Sequence, residues 1–402
     1  MEWRMNRELL VFMLEEMGRT GLDEEGKRNR LALSDGDKLG RDLLCRWIKD
    51  AELELKIDAI GNIFGVLPGT EEGDPVTAGS HIDTVKDAGM FDGCVGVLSG
   101  LEALRTVKEK KLPHRKPLAV VAFTNEEGAR YHPDMMGSLV VSGGKTPEEV
   151  YLSVDDEGKS VGDELERIGY KGTDRVRPSA YMEYHIEQGP FLDAKGLALG
   201  VVTGIQSINW WHGRFIGQQN HAGSTPMNMR RDALLAVSQL HCRMTEVARQ
   251  CGACFTMGRV RPEPYIVNVV PGEASFTVDM RHPDTKTVKE LQGTIGRIMN
   301  EIAVENGLTL DVRQTVDVDP VTFDDAMVDL VEKYAKARSL SYTRLCSGAC
   351  HDAQMMSHCV PTAMIFVPSK DGKSHCPQES SDMNQICDGA EVLLDCLLEL
   401  AR

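Results

Sequence analysis

Five short polar clusters carry the residues of this chain that could hold a cation or move a proton. In Gly79-Ser80-His81-Ile82-Asp83-Thr84 a carboxylate follows an imidazole by two residues, so Asp83 could orient His81 from behind. Phe91-Asp92-Gly93 sets a carboxylate before an apolar helical stretch, and taken alone Asp92 reads as a helix cap. Thr124-Asn125-Glu126-Glu127-Gly128 places two adjacent carboxylates at the exit of an apolar run. Like charges repel there and burial opposes ionisation, and a cation between them and the histidines would relieve both costs. Glu183-Tyr184-His185-Ile186-Glu187-Gln188-Gly189 and Ser374-His375-Cys376-Pro377-Gln378-Glu379 complete the set. Three histidines with two or more carboxylates form a mixed nitrogen and oxygen donor set, suited to zinc, manganese, cobalt or nickel rather than calcium. Such a set exceeds the needs of one tetrahedral zinc. It fits two ions sharing a bridging carboxylate, as in hydrolytic two-metal sites.

A sixth cluster, His221-Ala222-Gly223-Ser224-Thr225-Pro226, enters a helix, and Asn268 and Arg281 fall near strand ends in the same region. Arg281 could grip a carboxylate bidentately or pair with Asp279 or Asp284. Other nucleophiles are poorly supported. Cys350-His351-Asp352 has suitable residue types, but a triad is assembled in space rather than from sequential neighbours. No G-x-S-x-G, Walker loop or dinucleotide-binding glycine pattern occurs where a fold would need it. His114, His132, His212, His241, His282 and His358 sit among ordinary neighbours and read as surface or core residues.

The elements that must position these clusters show in the hydrophobic pattern. Pro117–Phe123 is a continuous apolar run, as expected of a central strand covered on both faces, and Tyr181–Ile186 and Pro361–Phe366 are similar. Pro75–His81 reads as a short strand, and Ile57–Leu67 as strand and turn. Asp35–Ala51 predicts an amphipathic helix with Leu39, Leu43, Leu44, Trp47 and Ile48 on one side, and Val95–Val107 a helix with small residues. Most clusters thus fall at strand ends, where open α/β sheets place their sites. After about residue 205 the character changes. Trp210–Ile216 and Ala274–Met280 alternate, Asp232–Gln250 and Thr285–Asn306 are helical, and Leu308–Val316 is a further strand. The expected fold class is α/β with two domains: a discontinuous catalytic domain, 1–205 and 320–402, interrupted by a smaller inserted α+β domain, 206–319.

Length and composition agree. A chain of 402 residues suits two or three domains, and 26% charged with 42% hydrophobic residues is ordinary for a globular protein. The net charge of −16 argues against nucleic acid or an anionic membrane surface as partner. No apolar run approaches the roughly 20 residues needed to cross a bilayer. Arg4, Arg7, Glu8, Glu15 and Glu16 break up the first residues, which therefore read as a helix rather than a signal peptide, with Leu9, Leu10, Phe12, Met13 and Met17 on its apolar face. A cytoplasmic location and mostly reduced thiols are expected for the 11 cysteines, and Cys251-x-x-Cys254 reads as a structural pair.

On these segments the chain resembles the peptidase M20 family, within it the amidase/hydantoinase/carbamoylase branch that includes N-carbamoyl-L-amino-acid hydrolases and allantoate amidohydrolases. The resemblance spans nearly the whole chain: GSHIDTV, FDGCVGVLSGLE, FTNEEGARY, HIEQGP, NHAGSTPM with RRDAL, NVVPGE, DMRHPD, SGACHDAQ and FVPSKDGKSHCPQE. It implies a mixed-sheet di-metal hydrolase domain with a lid or dimerisation insert. It implies that His81, Asp92, Glu127, His185 and His375 are metal ligands, with Asp92 bridging two divalent ions, Zn2+ or Mn2+, Co2+ or Ni2+. His81 and His185 would complete one ion, Glu127 and His375 the other, and Glu126 would be the general base, with Asp83 supporting the catalytic group. His185 stands where the family's peptidases usually carry a carboxylate, which favours ureido substrates. His221, Asn268 and Arg281 match substrate-contacting positions of the lid, His221 often reaching the partner subunit's site, and Gln188 and Gly348 match further substrate contacts.

The implied reaction is hydrolysis of the carbamoyl C–N bond of a small ureido acid such as an N-carbamoyl-L-amino acid. Allantoate hydrolysis and an aminoacylase or dipeptidase activity are the alternatives, and a metal-binding scaffold without turnover is a further one. The resemblance also implies a homodimer through the lid, with Arg214–Asn220 as the edge, and hinge closure over the substrate. Ile208-Asn209 and Cys350 depart from the family's usual polar pair and glycine, and these departures bear on the substrate rather than on the metal chemistry.

Overall fold

The computed structural model describes residues 4–402. The chain forms two compact units, one built from the chain up to Gly204 together with Thr322–Arg402, the other from Ile205–Val321.

The first unit is organised on a nine-stranded mixed sheet. Its centre is four mutually parallel strands in the order Leu118–Phe123, Val76–His81, Ala180–Ile186, Thr362–Val367. Every residue of these four strands is buried, which is why their sequences read as unbroken apolar runs rather than alternating ones. Antiparallel strands flank them, with Ile63–Leu67 and Glu54–Ile57 on one side and Leu199–Ile205 on the other. The helices Cys94–Glu109 and Met383–Leu400 are buried along most of their length and pack on the central strands. Small residues permit the closest approach: Gly96 and Gly100 of the first helix lie against Ser80, Ala78 and Val120 of the sheet.

The helix Asp35–Asp50 forms as the sequence predicts, capped by the Ser34 side chain on the Asp37 N–H. Its buried face differs from the expected one. Leu39 is 57% exposed, and Asp37 and Arg41 lie in the packed face with Leu43, Leu44, Trp47 and Ile48. A periodicity counted over apolar residues cannot see a buried ion pair, and here the pair sets the face. Arg41 Nε donates to Asp37 Oδ2 at 2.6 Å, while its other nitrogens donate to the Gly61 carbonyl at 2.7 Å and to Thr124 Oγ1 at 3.1 Å. This guanidinium ties the helix to the residue that opens the Asn125-Glu126-Glu127 segment. Asp37→Asn strands a buried cation without a counter-ion. It is expected to cost about 3–5 kcal/mol in denaturant unfolding, and a loss below 1 kcal/mol would show that Arg41 is neutralised elsewhere. The helix Arg7–Arg19 buries Leu10, Met13 and Met17 as expected, together with Leu14, while Phe12 is 51% exposed.

The second unit pairs an antiparallel sheet with two helices. The strand order is Val260–Glu263, Glu273–Arg281, Ile208–Ile216, Thr309–Val318, with Cys254–Thr256 also on Glu273–Arg281. Strict alternation of burial along Glu273–Arg281 leaves one face for Ala233–Cys251 and Thr285–Glu305, and Phe215, Phe276, Leu240, Ile295 and Ile302 fill the space between. Ile208–Ile216 is paired on both sides, Ile216 facing both Glu273 and Thr309, so of the expected edge Arg214–Asn220 the residues Arg214–Ile216 lie inside the sheet, while Asn220 pairs with Val270 in a separate two-stranded ladder. Among the described residues no helix is long and apolar enough to cross a membrane. All eleven cysteines are free, Cys251 half-buried and Cys254 exposed.

Candidate metal centre

All four central parallel strands deliver polar residues at their C-terminal ends. His81 is the last residue of its strand, Glu126 and Glu127 follow Phe123, His185 is the penultimate residue of Ala180–Ile186, and His375 lies in the loop after Val367. Asp92 comes from the start of the helix Cys94–Glu109. Positive backbone φ angles make two of these deliveries possible. Gly93 turns at φ +64°, and a Cβ there would sit 2.6 Å from the His81 ring, so the FDG turn needs its glycine. Asn125 turns at φ +56°, held by its Nδ2 donating to the Tyr131 and Pro133 carbonyls, each at 3.0 Å.

The resulting arrangement is centred on Asp92. Its Oδ1 lies 3.1 Å from His185 Nε2 and 3.6 Å from His81 Nε2. Its Oδ2 lies 3.3 Å from His375 Nε2, which is also 3.3 Å from Glu127 Oε2. Two donor groups therefore share one carboxylate: His81, Asp92 and His185 in one, Asp92, Glu127 and His375 in the other. Glu126 stands beside them, its Oε2 3.4 Å from His81 Nε2.

The histidine tautomers are set from behind. His81 Nδ1 lies 3.0 Å from the Asp83 carbonyl oxygen and His185 Nδ1 2.9 Å from that of Ile186. Carbonyls only accept, so both Nδ1 atoms carry a proton, and each Nε2 faces carboxylate oxygens: without a metal it carries a proton to donate to them, and with a metal ion between it presents a lone pair. A lone pair facing an anion is unfavourable unless a cation lies between. The electrostatics say the same. Burial alone would lower His81, but Glu126, Asp92 and Asp83 outweigh it and raise it well above the usual imidazole range. His375, hydrogen-bonded to Asp92, is pushed up to about 9. Burial raises Glu127 to about 7 and Glu126 well above the usual carboxylate range. Burial opposes ionisation of Asp92 too, but hydrogen bonds from His185, His375 and His81 hold it well below. Glu127 Oε1 is buried and meets no hydrogen-bond donor. This site demands positive charge around Asp92, and its nitrogen and oxygen donors fit a divalent transition ion.

Asp83 acts differently from the sequence expectation. Its carboxylate is 3.8 Å from His81 Nδ1, and its backbone carbonyl holds the ring instead. The carboxylate accepts the backbone N–H groups of Glu126 at 3.3 Å and Glu127 at 3.4 Å, so it orients the acidic segment. A two-residue spacing cannot say which oxygen of the residue reaches back. Gln188 donates to Asp92 Oδ2 at 2.8 Å and lies 3.3 Å from His375 Nε2, which puts it at the same centre.

The remaining candidates are placed as follows. Gly348 is exposed in the loop after Tyr342–Ser347. In the second unit, His221 pairs with Val269 in a two-stranded ladder that brings Asn268 beside it, and the Ala222 N–H donates to the Asn268 carbonyl at 3.0 Å. His221 Nδ1 accepts from the Gly223 and Ser224 N–H groups at 3.1 and 3.2 Å, which leaves Nε2–H as an exposed donor. Arg281 ends a strand of the larger sheet and is paired with Asp279 at 2.8 Å, one of the two partners open to it in the sequence.

Several polar residues at the centre had no role in the sequence reading. His351 is buried with its ring 4.5 Å from that of His185, and its Nε2 lies 3.0 Å from Ser347 Oγ, so the Cys350-His351-Asp352 segment supports the centre rather than forming a nucleophile. Glu183 is buried two residues before His185 in the same strand, accepting from Ser80 Oγ and the Ala353 N–H, both at 2.7 Å. Ser374 and Glu379 contact Asp92. Their only signal in sequence was proximity to His375.

Known proteins resemble this chain over nearly its whole length. The profile of peptidase family M20/M25/M40 matches residues 77–399. The chain is 40% identical to an N-carbamoyl-L-amino-acid amidohydrolase of Rhizobium meliloti, over 99% of this chain and 97% of the relative. It is 34% identical to an allantoate amidohydrolase of Escherichia coli (strain K12), over 95% of each. A solved structure of an amidase of the hydantoinase/carbamoylase family from Burkholderia multivorans superposes with a TM-score of 0.96 at 39% identity, over 99% of this chain and 98% of that one.

Proposed function

Since the chain belongs to peptidase family M20/M25/M40, we propose that it hydrolyses the carbamoyl C–N bond of a ureido acid, an N-carbamoyl-L-amino acid in the first instance. The observation that carries this reading is the shared Asp92, whose two oxygens face different nitrogen donors. His81 and His185 with Asp92 would hold one divalent ion, and Glu127 and His375 with the same carboxylate a second. Ions bound there supply Lewis-acid activation of water and of the substrate carbonyl.

The chain's own groups account for the rest. Glu126 takes a proton from the attacking water and returns it to the leaving nitrogen. Its burial shields the transferred proton from bulk solvent. Asp83 holds the backbone of Glu126 and Glu127 so that the base keeps its place. His221 presents Nε2–H as a donor for the oxyanion, and Asn268 and Arg281 hold the substrate carboxylate. Addition of one water and loss of one nitrogen leaves a carbamic acid and ammonia, and the carbamic acid loses carbon dioxide to give the amine.

Ammonia release from a panel of N-carbamoyl-L-amino acids and allantoate, run beside amino-acid release from N-acetyl amino acids and dipeptides, tests the assignment on metal-reconstituted protein. Turnover of carbamoyl acids is expected. The 34% identity to an allantoate amidohydrolase supports allantoate as the second reading, and its preference in the panel would select it. Turnover confined to acetyl or dipeptide substrates would reject both. Arg281→Ala is expected to raise KM about 10–100-fold with little change in kcat, the worth of a charge-assisted hydrogen bond of ~1.5–3 kcal/mol. An unchanged KM would place the anion elsewhere. Assembly as a homodimer through the second unit is also proposed, and light scattering checks it.

A further inference from the structure

Glu379 is buried among the residues that follow His375, yet its contacts are on the far side of the sequence. Its Oε1 accepts the backbone N–H of Phe91 at 2.8 Å and of Asp92 at 3.3 Å. Its Oε2 lies 3.1 Å from Ser374 Oγ, which in turn lies 2.9 Å from Asp92 Oδ2. Gly89 leaves the room for this approach, because a Cβ there would overlap the Glu379 side chain. The Glu379 N–H donates to the Cys376 carbonyl at 3.1 Å, which closes a turn around the His375 loop.

One carboxylate thus fastens the segment carrying Asp92 to the segment carrying His375. Those two residues belong to the same donor group, the one with Glu127, and no hydrogen bond of Glu379 reaches His81 or His185. His375 needs such a tie. It is the least buried donor, its side chain 48% exposed against 4% for Asp92, and it stands on an irregular loop at φ +54° rather than on a strand. A loop-borne ligand has no sheet to hold its distance from the bridging carboxylate. Donors left free to drift lose affinity through the cost of ordering them at each binding event.

We propose that Glu379 is a positioning residue that sets the separation of Asp92 and His375, and through it the affinity of the Asp92–Glu127–His375 group for its ion. The role rests on the two-ion reading above, and it is one of geometry, not of proton transfer. A glutamine can reproduce it: the amide oxygen accepts from Phe91 and Asp92, and the amide nitrogen faces the Ser374 hydroxyl.

The test measures zinc uptake by equilibrium dialysis of the full chain, with amide hydrogen exchange at Phe91 and Asp92 on the metal-free protein. In Glu379→Ala the weaker of two zinc sites is expected to lose about 10–100-fold in affinity while the tighter one is retained. Protection of the two amides falls in parallel. Excess zinc restores kcat with KM unchanged, and Glu379→Gln stays close to the parent in every readout. Ser374→Ala, which opens no sizeable cavity, shows a smaller loss at the same site and serves if Glu379→Ala folds poorly. Two equally tight sites in both alanine variants would overturn the proposal, as would equal defects in Glu379→Gln and Glu379→Ala. A parent protein that takes up no zinc, manganese, cobalt or nickel would instead count against the metal reading itself.

Discussion

Replacing Glu126 with glutamine is expected to lower kcat by about 10²–10⁴-fold, the usual worth of a general acid–base group, with KM and bound metal nearly unchanged. The geometry makes the split sharp. Glu126 lies 3.4 Å from His81 Nε2 but belongs to neither group of donors converging on Asp92. Glutamine keeps the shape and loses only the capacity to take a proton. The Glu126 N–H still reaches Asp83, so the segment holds its course. Steady-state kinetics together with metal analysis on the same preparation decide the matter. Full turnover in the variant would move the base to another residue, and loss of metal would make Glu126 a ligand.

A second large effect is expected at Asp92. Each of its oxygens faces a different donor group, so Asp92→Asn should weaken metal binding at both and abolish turnover. His375→Ala should weaken one group and spare the other, because His375 touches only the Oδ2 side. Thermal unfolding gives an independent readout. A ligand present at 100 to 1,000 times its Kd stabilises a fold by about 3–4 kcal/mol, and this metal-dependent rise in Tm should vanish in Asp92→Asn. The untreated parent should lose activity on chelation and regain it with a divalent ion. A variant at Asp92 that binds as much metal as the parent would show that the two groups do not share a bridge.

The central strands were readable because a strand buried on both faces must be apolar along its length, and polar residues at its exit then stand out. PLAVVAF followed by NEE is the clearest instance, and the segment ending in His185 another. Alternation identified Glu273–Arg281 for the complementary reason, since only one of its faces is covered. Buried charge was harder to see. The Asp37–Arg41 pair displaced Leu39 from the packed face, and nothing in a count of apolar residues marks a salt bridge. Of the edge expected at Arg214–Asn220, Arg214–Ile216 became interior because strand order within a sheet is a long-range choice, and Ile208–Ile216 gained a partner on each side.

At the centre itself, the chain's own order of residues determined the chemistry available: imidazoles and carboxylates, most of them placed at or after the end of a buried strand. Local sequence is enough for that, because strand burial and strand exit are local properties. Only the tertiary structure decided how the donors are shared. It set which oxygen of Asp92 meets which ring, turned the Asp83 carboxylate to the Glu126 and Glu127 amides, and brought Glu379 across 287 residues to the Asp92 N–H. Those outcomes depend on side-chain rotamers and on contacts between distant segments, and hydrogen-bond distances of about 3 Å are resolved only once the sheet has assembled around them.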